Sequence, residues 1–144
     1  MAVRGAIGGL LGVLAGCAGN APAGDDTGWV QEVAQVTDAG SYYVMYSSDP
    51  DPIPFNEPFT LYWMVHDGAD HAQMYADATL DLHVEMPAHG HGMNTAPVIA
   101  VDEYGTFTAE GFLFHMRGWW TITATATRGD VTDTSTFYVE CCEE

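Results

Sequence analysis

The chain has 144 residues, and its 20 acidic side chains face only three basic ones, all arginine, for a formal net charge of −17 at pH 7. A surface of that sign repels phosphate backbones and anionic lipid headgroups, which excludes nucleic-acid binding as a function class. It attracts cations or a basic protein partner by long-range steering, and it also favours solubility.

The N-terminus reads Met1-Ala2-Val3-Arg4 and then a weakly apolar run from Gly5 to Gly16. One positive charge, a short apolar stretch and small residues are the layout of a secretory signal peptide. The run is too short for a transmembrane helix, which needs about 20 apolar residues. Leu14-Ala15-Gly16-Cys17 resembles the lipobox of bacterial lipoproteins. That resemblance implies removal of residues 1–16 as a signal peptide, lipidation of the Cys17 thiol and acylation of the new amino terminus. The protein is then expected in the cell envelope, held to a membrane through Cys17. Ala18 stands where many inner-membrane lipoproteins of Gram-negative bacteria carry aspartate, which points to the outer membrane, with the protein exposed to the periplasm or the cell exterior. Each buried acyl methylene contributes about 0.8 kcal/mol, so more than one chain gives stable anchoring. Residues 17–28 comprise this cysteine and a small, polar, Gly/Pro-containing tether. Residues 29–144 suffice for one domain with a single core.

Through that domain, apolar residues alternate with period 2 and never sustain a period of 3.6. Strands are predicted over Ser41–Tyr46, Glu57–His66, Thr79–Met86 and Pro97–Val101, with a strand pair, Gly105–Ala109 and Gly111–His115, turning at Glu110-Gly111. Trp119–Thr127 and Val131–Glu140 flank Arg128-Gly129-Asp130, a hairpin signal. Asp67–Asp77 has room for a helical turn. About seven strands with turn signals every 8–12 residues define an all-β fold, an immunoglobulin-like antiparallel β-sandwich, with a closed small barrel as the alternative. The expected inward residues are Phe59, Leu61, Trp63, Val65, Leu80, Leu82, Val84, Trp120, Ile122, Phe137 and Val139.

The composition changes at Met86-Pro87-Ala88-His89-Gly90-His91-Gly92-Met93. Pro87 and the glycines disfavour regular structure, so a loop is expected after the Thr79–Met86 strand. His89, His91 and Met93 stand at every second position, which in an extended segment places them on one side. Imidazole with thioether suits copper, and the thioether favours Cu(I). Zinc sites are built from Cys, His and carboxylate, and calcium wants converging oxygens. His115-Met116 is a second such pair; if it lies beside the loop, one of the two completes a site, because successive strand residues point to opposite faces. Met86 continues the apolar alternation and reads first as core, second as ligand. His83 is an outside candidate, and His66 and His71 are scattered. The competing reading of the loop is an exposed Gly/His turn without metal.

Ala78 to Ala126 resembles the YtkA-like family of small bacterial exported domains, related to FixH-like proteins. The features that carry this are MPAHGHGM at 86–93, Pro97-Val98, Gly105-Thr106-Phe107, Phe112, Phe114 and Met116-Arg117-Gly118-Trp119-Trp120. The resemblance implies an immunoglobulin-like sandwich outside the cytoplasm, with Gly118 as a turn residue and Trp120 as a core indole. It implies His89, His91, Met93 and Met116 as a metal face, since some relatives are associated with copper handling or oxidase maturation. The chain departs from FixH-like proteins in carrying a lipoprotein signal instead of a transmembrane helix.

Cys141 and Cys142 are adjacent near the C-terminus. A disulfide between neighbours is strained, so the pair is open to other readings: free thiols, an intermolecular bridge, a soft-metal site, or plain terminal composition beside Glu143 and Glu144. No Ser/His/Asp order or nucleophile elbow points to an enzyme, and a metal hydrolase needs an open coordination position with a positioned base, for which only Glu85 and Glu110 lie near the loop. Two functions remain: a lipid-anchored copper binder, or a tethered module that docks a protein partner in the envelope without metal.

Overall fold

A computed structural model of the chain describes residues 32–142. The expected signal peptide, the expected lipidation site Cys17 and the expected tether lie outside the described residues. Within them the chain forms nine strands and no helix: β1 Val33–Val36, β2 Tyr42–Asp49, β3 Phe59–Asp67, β4 Thr79–Met86, β5 His91–Gly92, β6 Val98–Val101, β7 Phe107–Phe112, β8 Gly118–Arg128 and β9 Val131–Cys141. Consequently none of the described residues forms a helix long and apolar enough to cross a membrane.

The strands make two antiparallel sheets, one ordered β1-β2-β3-β7-β6 and the other β5-β4-β8-β9. Leaving β1 aside, this is the A-B-E-D sheet of an immunoglobulin-type sandwich against C-F-G with one added edge strand. The sequence pattern predicts about seven strands. The two extra ones, β1 and β5, are edge strands of four and two residues, too short to display an alternation.

The pleat explains the burial. Along β4, Leu80, Val84 and Met86 are buried and Leu82 is half-buried, while Asp81, His83 and Glu85 face water. All the expected inward residues except Leu82 are buried. Tyr42, Val44 and Tyr46 of β2 join them, as do Phe107, Ala109, Phe112 and Phe114. Two aromatic groups dominate: Tyr46, Trp63 and Phe137 pack together in one, and Phe59, Phe112, Phe114 and Trp120 in the other. Large apolar side chains of this kind contribute about 1.5–3 kcal/mol each on burial.

Two segments differ from the sequence expectation. Glu110-Gly111 is not a turn: β7 runs straight through it, and two residues there oppose the single Thr60 between the pairs Phe59↔Phe112 and Leu61↔Ala109. Gly111 takes φ +87° at this bulge, so the glycine serves a strand irregularity instead of a hairpin. Asp67–Asp77 is likewise not helical; it folds back on β3 through the His66↔Met74 bridge. The Gly129-Asp130 connection does form the tight turn between β8 and β9, with Gly129 at φ +59°. Cys141 and Cys142 are joined to each other in a disulfide, which removes the free-thiol, intermolecular and metal readings for the oxidised pair.

One buried carboxylate ties the sheets together. Asp133 of β9 accepts hydrogen bonds from Thr37 Oγ1 at 2.6 Å, Ser41 N at 3.1 Å, Ala39 N at 3.1 Å and Thr134 N at 2.9 Å. Burial pushes its pKa up, but these donors outweigh burial and hold it at about 2. A depressed carboxylate stabilises the fold above its unfolded value, and the contribution is lost as pH falls through the folded value. Asp133→Ala should therefore lower stability at pH 7 by roughly 1–3 kcal/mol, because it strands buried donors. In urea denaturation, the gap between the native protein and Asp133→Asn should narrow as the pH drops from 4 towards 2.

Candidate metal centre

The loop at 86–93 begins where β4 ends. The Met86 carbonyl accepts from both His89 N and Gly90 N at 3.0 Å, and Gly90 takes φ +66°. The chain then returns as β5, pairing His91 with Met86 and Gly92 with Glu85. The expectation of an irregular loop is thus corrected in part: Pro87 and Gly90 occupy the turn and leave the next two residues free to pair. Gly92 is required there, because a Cβ would come within 2.8 Å of the Val84 carbonyl oxygen.

A second segment, 113–117, arrives from the other sheet on its way from β7 to β8. Phe114 is fully buried and stacks on Trp120, with centroids 4.6 Å apart and planes within 9°. Trp120 Nε1 donates to the Met116 carbonyl at 3.0 Å, and the Phe114 carbonyl accepts from Asn56 N at 3.0 Å. His115 is held between these two fixed neighbours. Its ring stacks on His91 at 5.4 Å, and His91 in turn lies 5.7 Å from the exposed ring of His89. His91 and His115 both meet the Trp120 indole edge-on, at 6.2 and 5.5 Å.

These spacings matter chemically. A metal–nitrogen bond of about 2.0–2.1 Å sets two imidazoles sharing one ion roughly 5–6 Å apart between centroids. The rings in the row His89, His91, His115 are spaced in that range. His91 Nδ1 donates to the Gly92 carbonyl at 2.9 Å, leaving the lone pair of the neutral ring on Nε2. His115 Nδ1 is buried with no hydrogen-bond partner, a condition that protein interiors rarely leave unanswered.

The methionines take less exposed places. Met93 packs against the core and its sulfur accepts from Leu113 N at 3.3 Å. Met116 is half-buried against the same core. Met86 is 2% exposed, with its methyl facing Gly118, and it stands opposite His91 in the β4–β5 pairing. Among the described residues no group of three or more His, Cys, Asp and Glu side chains is placed to hold a metal ion as it stands. The row offers adjacent imidazole pairs, not a closed cage. His83 stands apart, exposed on the outer face of β4 and 3.5 Å from Glu85. His66 and His71 lie at the opposite end of β3, around the Tyr43 ring.

A cleft of about 310 Å³ opens elsewhere, where β2 and the 51–53 loop approach the end of β9, and none of these histidines or methionines lines it. Tyr46 borders that cleft; burial, and then the charge of Asp51, push its phenol up to about 12.

Sequence reasoning reached His115 and Met116 but not what places them. Trp120 reads as a core residue and Phe114 only as part of the family pattern, and their stack is what carries the 113–117 segment over β5. No protein-family model matches the chain, and no curated protein or solved structure matches it either.

Trp120→Phe keeps a ring against Phe114 but deletes the bond to the Met116 carbonyl. It should cost about 1 kcal/mol from the lost hydrogen bond, with any cavity cost added. It should also free the 113–117 segment, read as faster amide exchange there and loss of the His91–His115 ring contacts in NMR spectra.

Proposed function

We propose that this chain is a lipid-anchored protein of the bacterial cell envelope, YtkA-like in its central segment, that binds copper through the His89–Met93 loop. It acts as a carrier, buffer or resistance factor, not as a catalyst. The observation that carries the reading is the row of three imidazoles, His89, His91 and His115, at ligand-sharing spacing, with Met86 opposite His91 across the β4–β5 pairing. Soft sulfur behind imidazole favours Cu(I), and imidazole alone also accommodates Cu(II). An open row on a rigid sheet end permits capture and release by ligand exchange. Attachment through Cys17 would keep this site beside the membrane.

Calorimetry and metal analysis of the full chain should find stoichiometric copper, and the His89→Ala/His91→Ala double variant should bind one equivalent fewer than the native chain. Gly92→Ala keeps every histidine but obstructs the β4–β5 pairing, and should weaken binding as well. No copper uptake in either redox state would sink the proposal. A Cys17→Ser variant should move from the membrane fraction to the soluble one.

A second reading, a tethered module that docks a protein without metal, draws support from exposed Val98 and Val101 on edge strand β6 and exposed Tyr104 after it. Partner capture that survives chelator and the double-histidine variant would favour it.

A further inference from the structure

The six methionines of the described residues fall into two sets. Met86, Met93 and Met116 accompany His89, His91 and His115 at one end of the sandwich. Met45, Met64 and Met74 lie on the outer face of the β2–β3 sheet, with His66 and His71. Met45 pairs with Met64, Tyr43 with His66, and Met74 bridges to His66 from the segment after β3. The two sets are separated by nearly the length of β3, roughly 25 Å at the strand rise.

His66 is an anomaly. Both its ring nitrogens are buried, and neither has a hydrogen-bond partner. Outer-face residues of β3 would ordinarily be wet; here residues 67–75 fold over as a flap. Asp67 secures that flap at both ends, accepting from Ala69 N and Asp70 N at 2.9 and 2.8 Å and from the Tyr75 hydroxyl at 2.5 Å. His71 rides on the flap and stacks on Tyr43 at 3.8 Å. Asp67 N donates to the Gln73 carbonyl at 2.8 Å and Tyr75 N to the Val65 carbonyl at 2.9 Å. These bonds flank His66 and Met74 and leave them as a non-hydrogen-bonded pair, the arrangement that brings opposed side chains closest. Met64 sits two residues earlier on the same face.

We propose that His66 and Met74 form a second metal site, specific for Cu(I), with Met64 as the nearest additional sulfur. An imidazole nitrogen and a thioether match the softness of Cu(I). Cu(II) wants a tetragonal set of nitrogen and oxygen donors, and hard cations want converging oxygens; the paired ligands offer neither. A ligated ring nitrogen would also answer one of the two orphaned positions on His66. This site is independent of the His89–Met93 loop.

The test uses the full chain titrated anaerobically with tetrakis(acetonitrile)copper(I), followed by NMR of 13C-methyl methionine. In the His89→Ala/His91→Ala background one equivalent of Cu(I) should still bind, shifting the Met74 methyl signal and, less strongly, that of Met64. Adding Met74→Leu, a change of similar volume that leaves the fold intact, should weaken that equivalent tenfold or more; His66→Ala should do the same. A Met74 methyl signal unmoved by Cu(I), or binding unchanged by Met74→Leu, would overturn the second site. Neither result bears on the first. Conversely, Cu(I) uptake that is indifferent to the His89/His91 change but lost with Met74→Leu would refute the loop site alone.

Discussion

The stack of Phe114 on Trp120 is the contact on which the candidate centre depends. Without it, the 113–117 crossing between sheets would rest on scattered bonds such as Asn56 N to the Phe114 carbonyl and Leu113 N to the Met93 sulfur. With Phe114 fully buried against the indole and the Met116 carbonyl held by Trp120 Nε1, the intervening His115 has little freedom. Truncating a buried aromatic costs about 3–5 kcal/mol, so the segment is held by an energy comparable to much of a small domain's net stability. The same indole presents its flank to His91 and His115. Core packing and placement of the imidazoles are therefore one structural feature, and the precision of the row is inherited from the sandwich.

Much of this was legible in the sequence where alternation was long. Thr79–Met86 reads as a strand from Leu80, Leu82, Val84 and Met86 against Asp81, His83 and Glu85, and it forms over those residues, with Leu82 only half-buried. The Gly129 hairpin reads from its turn residues in the same way. What the sequence obscured was local punctuation with more than one structural use. Gly111 signals a turn as well as it signals a bulge, and only pairing with β3 decides for the bulge. Val33–Val36 and His91–Gly92 are strands because a neighbour accepts them at a sheet edge, not because their own pattern demands it. The meeting of His115 with His91 is of the same kind. The residues are 24 positions apart and come together through a sheet crossing that no local pattern encodes. The flap over His66 was illegible for a further reason: its anchor is one aspartate accepting from both ends of a nine-residue excursion.

The acidic surface needs a separate account. Two arginines in the described residues cannot neutralise the carboxylates around them, and both are tied to aromatic rings: Arg117 over Phe55 at 4.4 Å and Arg128 over Tyr75 at 4.2 Å. Arg117 also donates to the Cys142 carbonyl at 2.6 Å, and Arg128 pairs with Asp77 at 2.6 Å. Each arginine thus fastens an end of the sandwich, and the remaining negative charge is left to mobile cations. Self-repulsion of that charge works against the compact state. A single well-satisfied carboxylate such as Asp133, which joins the Thr37–Ser41 turn to β9, offsets part of it.

On the proposed reading, charge and ligand softness divide the work of choosing a metal. A negative field draws in every cation according to its charge, so it raises encounter rates without distinguishing copper from calcium or magnesium. Exposed carboxylates alone would retain the hard ions, which are satisfied by oxygen. Discrimination has to come from donors that hard ions bind poorly, and imidazole with thioether is such a set. Placing those donors where the backbone is fixed, on β5 against Trp120 and on β3 beneath a stapled flap, limits how far they can rearrange to suit another ion. Selectivity would then follow from rigid placement of soft donors within a field that is itself unselective.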